Sequence, residues 1–203
     1  MIRILCTDVS VADEEIYRRL YEKASAERKH KADRYLRYED KLRCVTADAL
    51  LRTVLGTNEF QIEKNKYGKP YIKNKKDFYY NLSHSGKYVV IAFGNSEVGI
   101  DIQQHLADID MARIADRFFS EEERKYTGQS DRQMTERFYE IWTGKESYLK
   151  YLGKGLCMDM CSFSILEQKR KLHFLKLEEG YTLSLYTADQ EYTFELSDIR
   201  QLS

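Results

Sequence analysis

The sequence predicts an α+β protein of two similar lobes, each a small, mainly antiparallel sheet packed with helices. Three observations carry that expectation. The order strand, helices, short strands runs twice along the 203 residues. Ser25-Ala26-Glu27-Arg28-Lys29 is echoed by Ser120-Glu121-Glu122-Glu123-Arg124-Lys125, and Ala49-Leu50-Leu51-Arg52 by Ser147-Tyr148-Leu149-Lys150 at nearly the same offset. Gly68-Lys69-Pro70 and Gly153-Lys154-Gly155 each follow a long helix. The repeat sets lobes at 1–96 and 97–203 with pseudo-twofold symmetry, and a cleft between lobes is a natural ligand site.

The elements follow in order. Residues 2–9 alternate as a strand, and Ser10 opens a helix with the stripe Ile16, Leu20, Ala24. Ser25 caps a second helix. A third runs over about 38–55, with Leu42, Val45, Ala49 and Leu50 inward and Gly56 as its stop. Short strands are expected at 60–63, 70–72 and 78–82, then a buried strand at 88–93. Gly94-Asn95 reads as a tight hairpin into a strand at 97–103. The second half gives helices near 109–119, 121–126 (capped by Ser120) and 133–152. Strands at 162–166, 172–177, 181–188 and 192–196 complete it.

Bulk properties narrow the function. Net charge is zero, with 42% hydrophobic and 33% charged residues, an ordinary globular mix without the dominant basic face of a nucleic-acid binder. Cys6, Cys44, Cys157 and Cys161 offer only one close pair, so neither a zinc site nor a disulfide framework is expected. The opening MIRILCTDVS turns polar too soon for a signal peptide, and no long apolar run marks a membrane span. A cytoplasmic protein without membrane or nucleic-acid partners is the expectation.

Four segments carry chemistry. In Glu97-Val98-Gly99-Ile100-Asp101-Ile102-Gln103, the apolar residues alternate inward, leaving Asp101 and Gln103 about 7 Å apart on the other face. Gly99 leaves the approach to Asp101 open. Two oxygen donors on one strand suit a hard cation, or else a solvated edge strand. In Trp142-Thr143-Gly144-Lys145-Glu146-Ser147-Tyr148-Leu149-Lys150, residues 142, 146 and 150 stack on one helix face. Glu146 and Lys150 are either a surface pair or, given the apolar company, a buried carboxylate needing a cation. Asn81-Leu82-Ser83-His84-Ser85-Gly86 reads as a turn offering hydroxyls and an imidazole to phosphate. Tyr67-Gly68-Lys69-Pro70 presents Lys69 on a stiffened turn. His30, His105 and His173 lack such neighbours.

Taken in order, YGKP, NLSHSG, GIDIQ and WTGKESYLK resemble the Sfp-type 4′-phosphopantetheinyl transferases over nearly the whole chain. The resemblance implies transfer of the phosphopantetheine arm of coenzyme A to a serine of an apo acyl or peptidyl carrier protein, releasing 3′,5′-ADP. Mg²⁺, with Mn²⁺ as the alternative, would be held by Asp101 and Glu146. Gln103 stands where the family has a second acid, which leaves the number of direct ligands open. Ser83, His84 and Lys150 would contact phosphates, Lys69 the nucleotide end, and Arg28, Lys31 and Arg43 the 3′-phosphate. Glu146 would be the base, with Lys150 and His84 stabilising developing charge. Leu106, Ile109, Met111, Ile114 and Phe118 divide between core and carrier docking, and two lobes in one chain imply a monomer. A nucleotide-pyrophosphate hydrolase and a silent coenzyme A binder are the competing readings.

Overall fold

The computed structural model describes residues 1–128, 133–155, 158–168 and 170–202. The chain opens with β1 (Ile2–Asp8), α1 (Glu14–Lys23), α2 (Ala26–Asp33) and α3 (Tyr38–Leu55). Next come β2 (Ile62–Lys64), β3 (Pro70–Ile72), β4 (Tyr79–Ser85) and β5 (Tyr88–Gly94). The second half repeats this plan with β6 (Val98–Gln104), α4 (Met111–Phe118), α5 (Glu121–Thr127), α6 (Met134–Leu152), β7 (Leu172–Leu175), β8 (Tyr181–Thr187) and β9 (Tyr192–Ser197).

Local chemistry explains the boundaries. Asp13, not Ser10, caps α1 by accepting from the Ile16 amide at 2.8 Å. Ser25 caps α2, and Ser120 with Glu123 forms a capping box on α5. Both long helices stop at a left-handed glycine, Gly56 at φ 66° and Gly153 at φ 62°.

The sheets stack in four layers. β4-β5-β1-β9 form one sheet, antiparallel except where β9 runs parallel to β1. β6-β8-β7 form an antiparallel second sheet. In β1 and β5 alternate residues divide between two cores. Leu5, Val89, Ile91 and Phe93 pack under the helices of the first half with Leu42, Val45 and Leu50. Ile2, Ile4, Val90 and Ala92 meet Val98, Ile100, Ile102, Leu183 and Leu185 of the second sheet. Beyond that sheet, Phe119, Phe138, Ile141 and Tyr186 fill the space beneath α4 and α6. The arrangement is helix, sheet, sheet, helix, each half repeating strand, three helices and an antiparallel pair closed on its first strand.

Several local expectations are corrected. Residues 81–85 lie within β4 rather than a turn, and the turn is confined to Gly86-Lys87. Gly94-Asn95 does not make a hairpin, because β6 leaves β5 and pairs with β8 in the other sheet. The segment expected as a strand at 162–166 instead forms 3₁₀ turns at Met160–Ser162 and Ile165–Glu167, capped by Asp159 and Ser164. Strand β9 joins the sheet of the first half, and Ile199 and Leu202 follow it into that half's core. Cys6, Cys44 and Cys161 are free thiols, and Cys157 lies outside the described residues.

Candidate active site

The site forms where the edges of the two sheets meet the C-terminal half of α6. Gly99 lets α6 approach β6. A Cβ there would sit 1.9 Å from the Ser147 carbonyl oxygen and 2.5 Å from the Tyr151 nitrogen. Close helix packing, rather than an open approach to Asp101, is therefore what the glycine provides. The same packing buries the helix-facing side of β6, so Asp101 is 2% exposed and not a solvated edge residue.

Asp101 is the hub. Its Oδ1 accepts from Lys150 Nζ at 2.6 Å and from Ser83 Oγ at 2.8 Å. Its Oδ2 accepts from Gln103 Nε2 at 3.2 Å. Gln103 Oε1 faces Ser85 Oγ at 3.4 Å. Lys150 spends its other two protons on Ser83 Oγ and the Ile100 carbonyl, both at 3.1 Å.

Glu146, one turn before Lys150, is half-buried and makes no hydrogen bond or ion pair among the described residues. Burial, then the Asp101 charge, raises its carboxyl pKa, against the pull of Lys150. Two carboxylates that repel each other, with an amide oxygen beside them, make an all-oxygen donor set that a hard divalent cation would relieve. Among the described residues no three His, Cys, Asp or Glu side chains converge, so any third protein ligand would have to be an amide or a carbonyl.

His84 sits on β4 facing the opposite way from Ser83. Strand parity places it opposite Val89, toward the helices of the first half. The residue is exposed. Desolvation by the atoms packed around the imidazole still lowers its pKa first, and the charges of Arg43, Lys150 and Lys31 lower it further, opposed by Asp40. Three cations crowding one imidazole mark a place that attracts an anion. Arg43 is held by the Gly86 carbonyl at 2.5 Å and Asp40 at 2.7 Å. Lys31 is exposed on α2. Arg28 lies farther back, 3.7 Å from buried Asp48, which also pairs with Arg52 at 3.0 Å.

A cavity of about 240 Å³ opens beside these groups, lined by Tyr67, Lys69, Asn81, Glu146, Leu149 and Lys150. Lys69 forms part of its wall, but its ammonium points to Glu97 at 2.5 Å and to the Tyr151 carbonyl at 3.1 Å. The Tyr67–Pro70 turn is also tied to the end of α6 by Asn65 Nδ2, which donates to the Gly153 carbonyl at 2.9 Å. Asp101, Gln103, Glu146, Lys150 and Ser83 thus form one cluster. His84, Arg43 and Lys31 form a second beside it. Lys69 stands across the cavity and Arg28 at the rear.

One pair escaped the reading of the sequence. Lys145, inside the WTGKE segment, is fully buried against Glu123 at 2.7 Å and donates to the Met160 and Phe163 carbonyls, both at 2.7 Å. The capping-box spacing at Ser120–Glu123 was visible, but a box glutamate is ordinarily exposed, so nothing tied it to Lys145. Of the apolar residues after Gln103, Ile109, Met111, Ile114 and Phe118 pack partly into the core under α6, while Leu106 is exposed.

Comparison with known proteins places the chain in a family. A family model described as the 4′-phosphopantetheinyl transferase superfamily matches residues 97–197, and one for the N-terminal part of a 4′-phosphopantetheinyl transferase matches 13–96. A 4′-phosphopantetheinyl transferase of Bacillus subtilis is 34% identical over 185 residues, covering 86% of this chain and 81% of the relative. The transferase Sfp of Bacillus subtilis strain 168 is 37% identical over 149 residues, 70% of this chain and 65% of the relative. The transferase gsp of Aneurinibacillus migulanus is 31% identical over 194 residues, 92% and 80%. With both halves matched in order and relatives aligned over most of its length, this chain belongs to the 4′-phosphopantetheinyl transferase superfamily.

Proposed function

We propose that the chain transfers the 4′-phosphopantetheine group of coenzyme A to a serine hydroxyl of an apo carrier protein, at the junction of β4, β6 and α6. The observation that carries this is the pairing of two adjacent clusters. One holds Asp101 and a Glu146 carboxyl with raised pKa, and the other holds a cation-crowded His84. Asp101 and Glu146 would hold Mg²⁺, with the Gln103 amide oxygen as a third donor. An ion held by these residues would supply Lewis-acid stabilisation of the negative charge that develops on the leaving oxygen. His84, Arg43 and Lys31 would receive phosphate oxygens, with Arg28 behind them and Lys69 at the nucleotide end.

The bonds balance simply. The serine oxygen bonds to the β-phosphorus as that atom's bond to the bridging oxygen breaks, and 3′,5′-ADP departs. The serine proton passes to Glu146, directly or through water. A carboxylate with a raised pKa is the better base. Lys150 has all three donors engaged, so contacting a phosphate requires it to release one of its two uncharged partners, the Ser83 hydroxyl or the Ile100 carbonyl. The protein would work as a monomer with lobes 1–96 and 97–203, the second lending β9 to the first lobe's sheet, because both clusters come from one chain. The proposed place of action is the cytoplasm. No helix among the described residues is long and apolar enough to cross a membrane.

Incubating the protein with coenzyme A, Mg²⁺ and an apo carrier domain, then weighing the carrier, tests the reading. The expected result is a gain of one phosphopantetheine, lost in Asp101→Ala and Glu146→Ala and kept in Gln103→Glu. Release of phosphopantetheine without carrier would favour a hydrolase instead, and full transfer by Asp101→Ala would remove the assignment.

A further inference from the structure

Strand β6 is the edge of its sheet, yet its outward amides are not free. Asn81 Oδ1 accepts from the Ile100 amide at 2.9 Å. Ser83 Oγ accepts from the Ile102 amide at 3.3 Å, and Ser85 Oγ from the Gln104 amide at 3.0 Å. Every second side chain of β4 thus meets every second amide of β6. The register of β4 places these three residues opposite Ala92, Val90 and Tyr88, on the face that looks toward the second sheet. Covered edge amides without acceptors are costly. Here side chains stand in for the missing neighbouring strand.

Ser83 is the centre of this ladder and is 7% exposed. A hydroxyl has one proton and two lone pairs. The proton goes to Asp101 Oδ1 at 2.8 Å, and the lone pairs face the Ile102 amide and Lys150 Nζ. All three are engaged within the fold. A slip of one residue between β4 and β6 would turn Asp101 to the opposite face, since strand side chains alternate.

We infer that Asn81, Ser83 and Ser85 form a side-chain ladder fixing the register of the Asp101 strand against the His84 strand, and that through it Ser83 is a positioning residue for Asp101. The functional half of this inference rests on Asp101 as a metal ligand; the ladder itself does not.

The test uses the full ¹⁵N-labelled chain and amide exchange. Ser83→Ala should speed exchange at Ile102, and Ser85→Ala at Gln104, by about tenfold or more, the loss expected for one hydrogen bond of ~1.4 kcal/mol. The Asp101 and Gln103 amides, which alternate toward β8, should change no more than global stability does. Ser83→Ala should also weaken Mn²⁺ binding several-fold, with Ser83→Thr restoring it. Unchanged exchange at Gln104 in Ser85→Ala overturns the ladder, and this arm stands if Ser83→Ala does not fold. Wild-type Mn²⁺ affinity in a folded Ser83→Ala overturns the positioning role. If the exchange results hold but Mn²⁺ binds none of the proteins, the metal reading fails and the ladder survives.

Discussion

Replacing Lys145 with methionine isolates the one fully buried ion pair described in the second half. Its ammonium lies 2.7 Å from Glu123 Oε2, and neither side chain has any solvent exposure. Among the described residues the Glu123 carboxylate otherwise accepts from the Ser120 and Ile165 amides, both at 2.8 Å. Lys145→Met leaves that carboxylate buried with no counter-charge and strips the donor from the Met160 and Phe163 carbonyls. Breaking a buried pair in this way costs about 3–5 kcal/mol. At about 2–4 °C per kcal/mol for a chain of this size, Tm falls by roughly 6–20 °C. Urea unfolding followed by the fluorescence of Trp142, the sole tryptophan, measures it. The double variant Glu123→Gln/Lys145→Met should recover at least ~1 kcal/mol relative to additivity, because one substitution removes the charge the other orphans. KM for coenzyme A at low temperature should not move, since the ammonium points to α5 and the 160–163 turn. A loss under ~1 kcal/mol, or strict additivity, would refute the reasoning.

Other outcomes follow from the same geometry. Glu146→Gln should stabilise the protein while abolishing transfer. A carboxyl whose folded pKa is raised takes stability away as pH climbs from its unfolded value through its folded one, so the gain appears at neutral pH and vanishes in acid; equal melting temperatures at pH 7 would contradict it. Arg43→Gln should move the His84 titration upward in an NMR pH series, because Arg43 is the largest of the charges lowering it; an unmoved midpoint would count against the cationic cluster. Gly99→Ala forces β6 away from the Ser147 carbonyl, which should cost about 1–3 kcal/mol in urea and lower kcat more than it raises KM; wild-type stability would show that the helix yields freely.

Much of this was legible in the sequence because it is encoded locally. Helix ends at Gly56 and Gly153 and the cap at Ser120 follow from backbone chemistry within one turn. The stripe Glu146–Lys150 needed only helical spacing, and Asp101 with Gln103 only strand parity. What escaped depends on partners distant in sequence. Asn81, Ser83 and Ser85 have turn-like composition, and only a facing strand edge makes them strand residues that cap amides. Gly94-Asn95 carries a hairpin signature, but Val98, Ile100 and Ile102 are fully buried in the core between the two sheets. The pairing of β9 with β1 spans nearly the whole chain and leaves no local signal. Lys69 and Lys150 looked like free phosphate-binding cations, yet their protons are engaged by groups whose proximity only the fold creates.

Titrating Mn²⁺ into the coenzyme A complex and following the free ion by electron paramagnetic resonance tests the shared ion most directly. The account predicts one tightly bound ion per chain in the wild type, with affinity falling at least tenfold in both Asp101→Ala and Glu146→Ala. Wild-type affinity in either variant would contradict it.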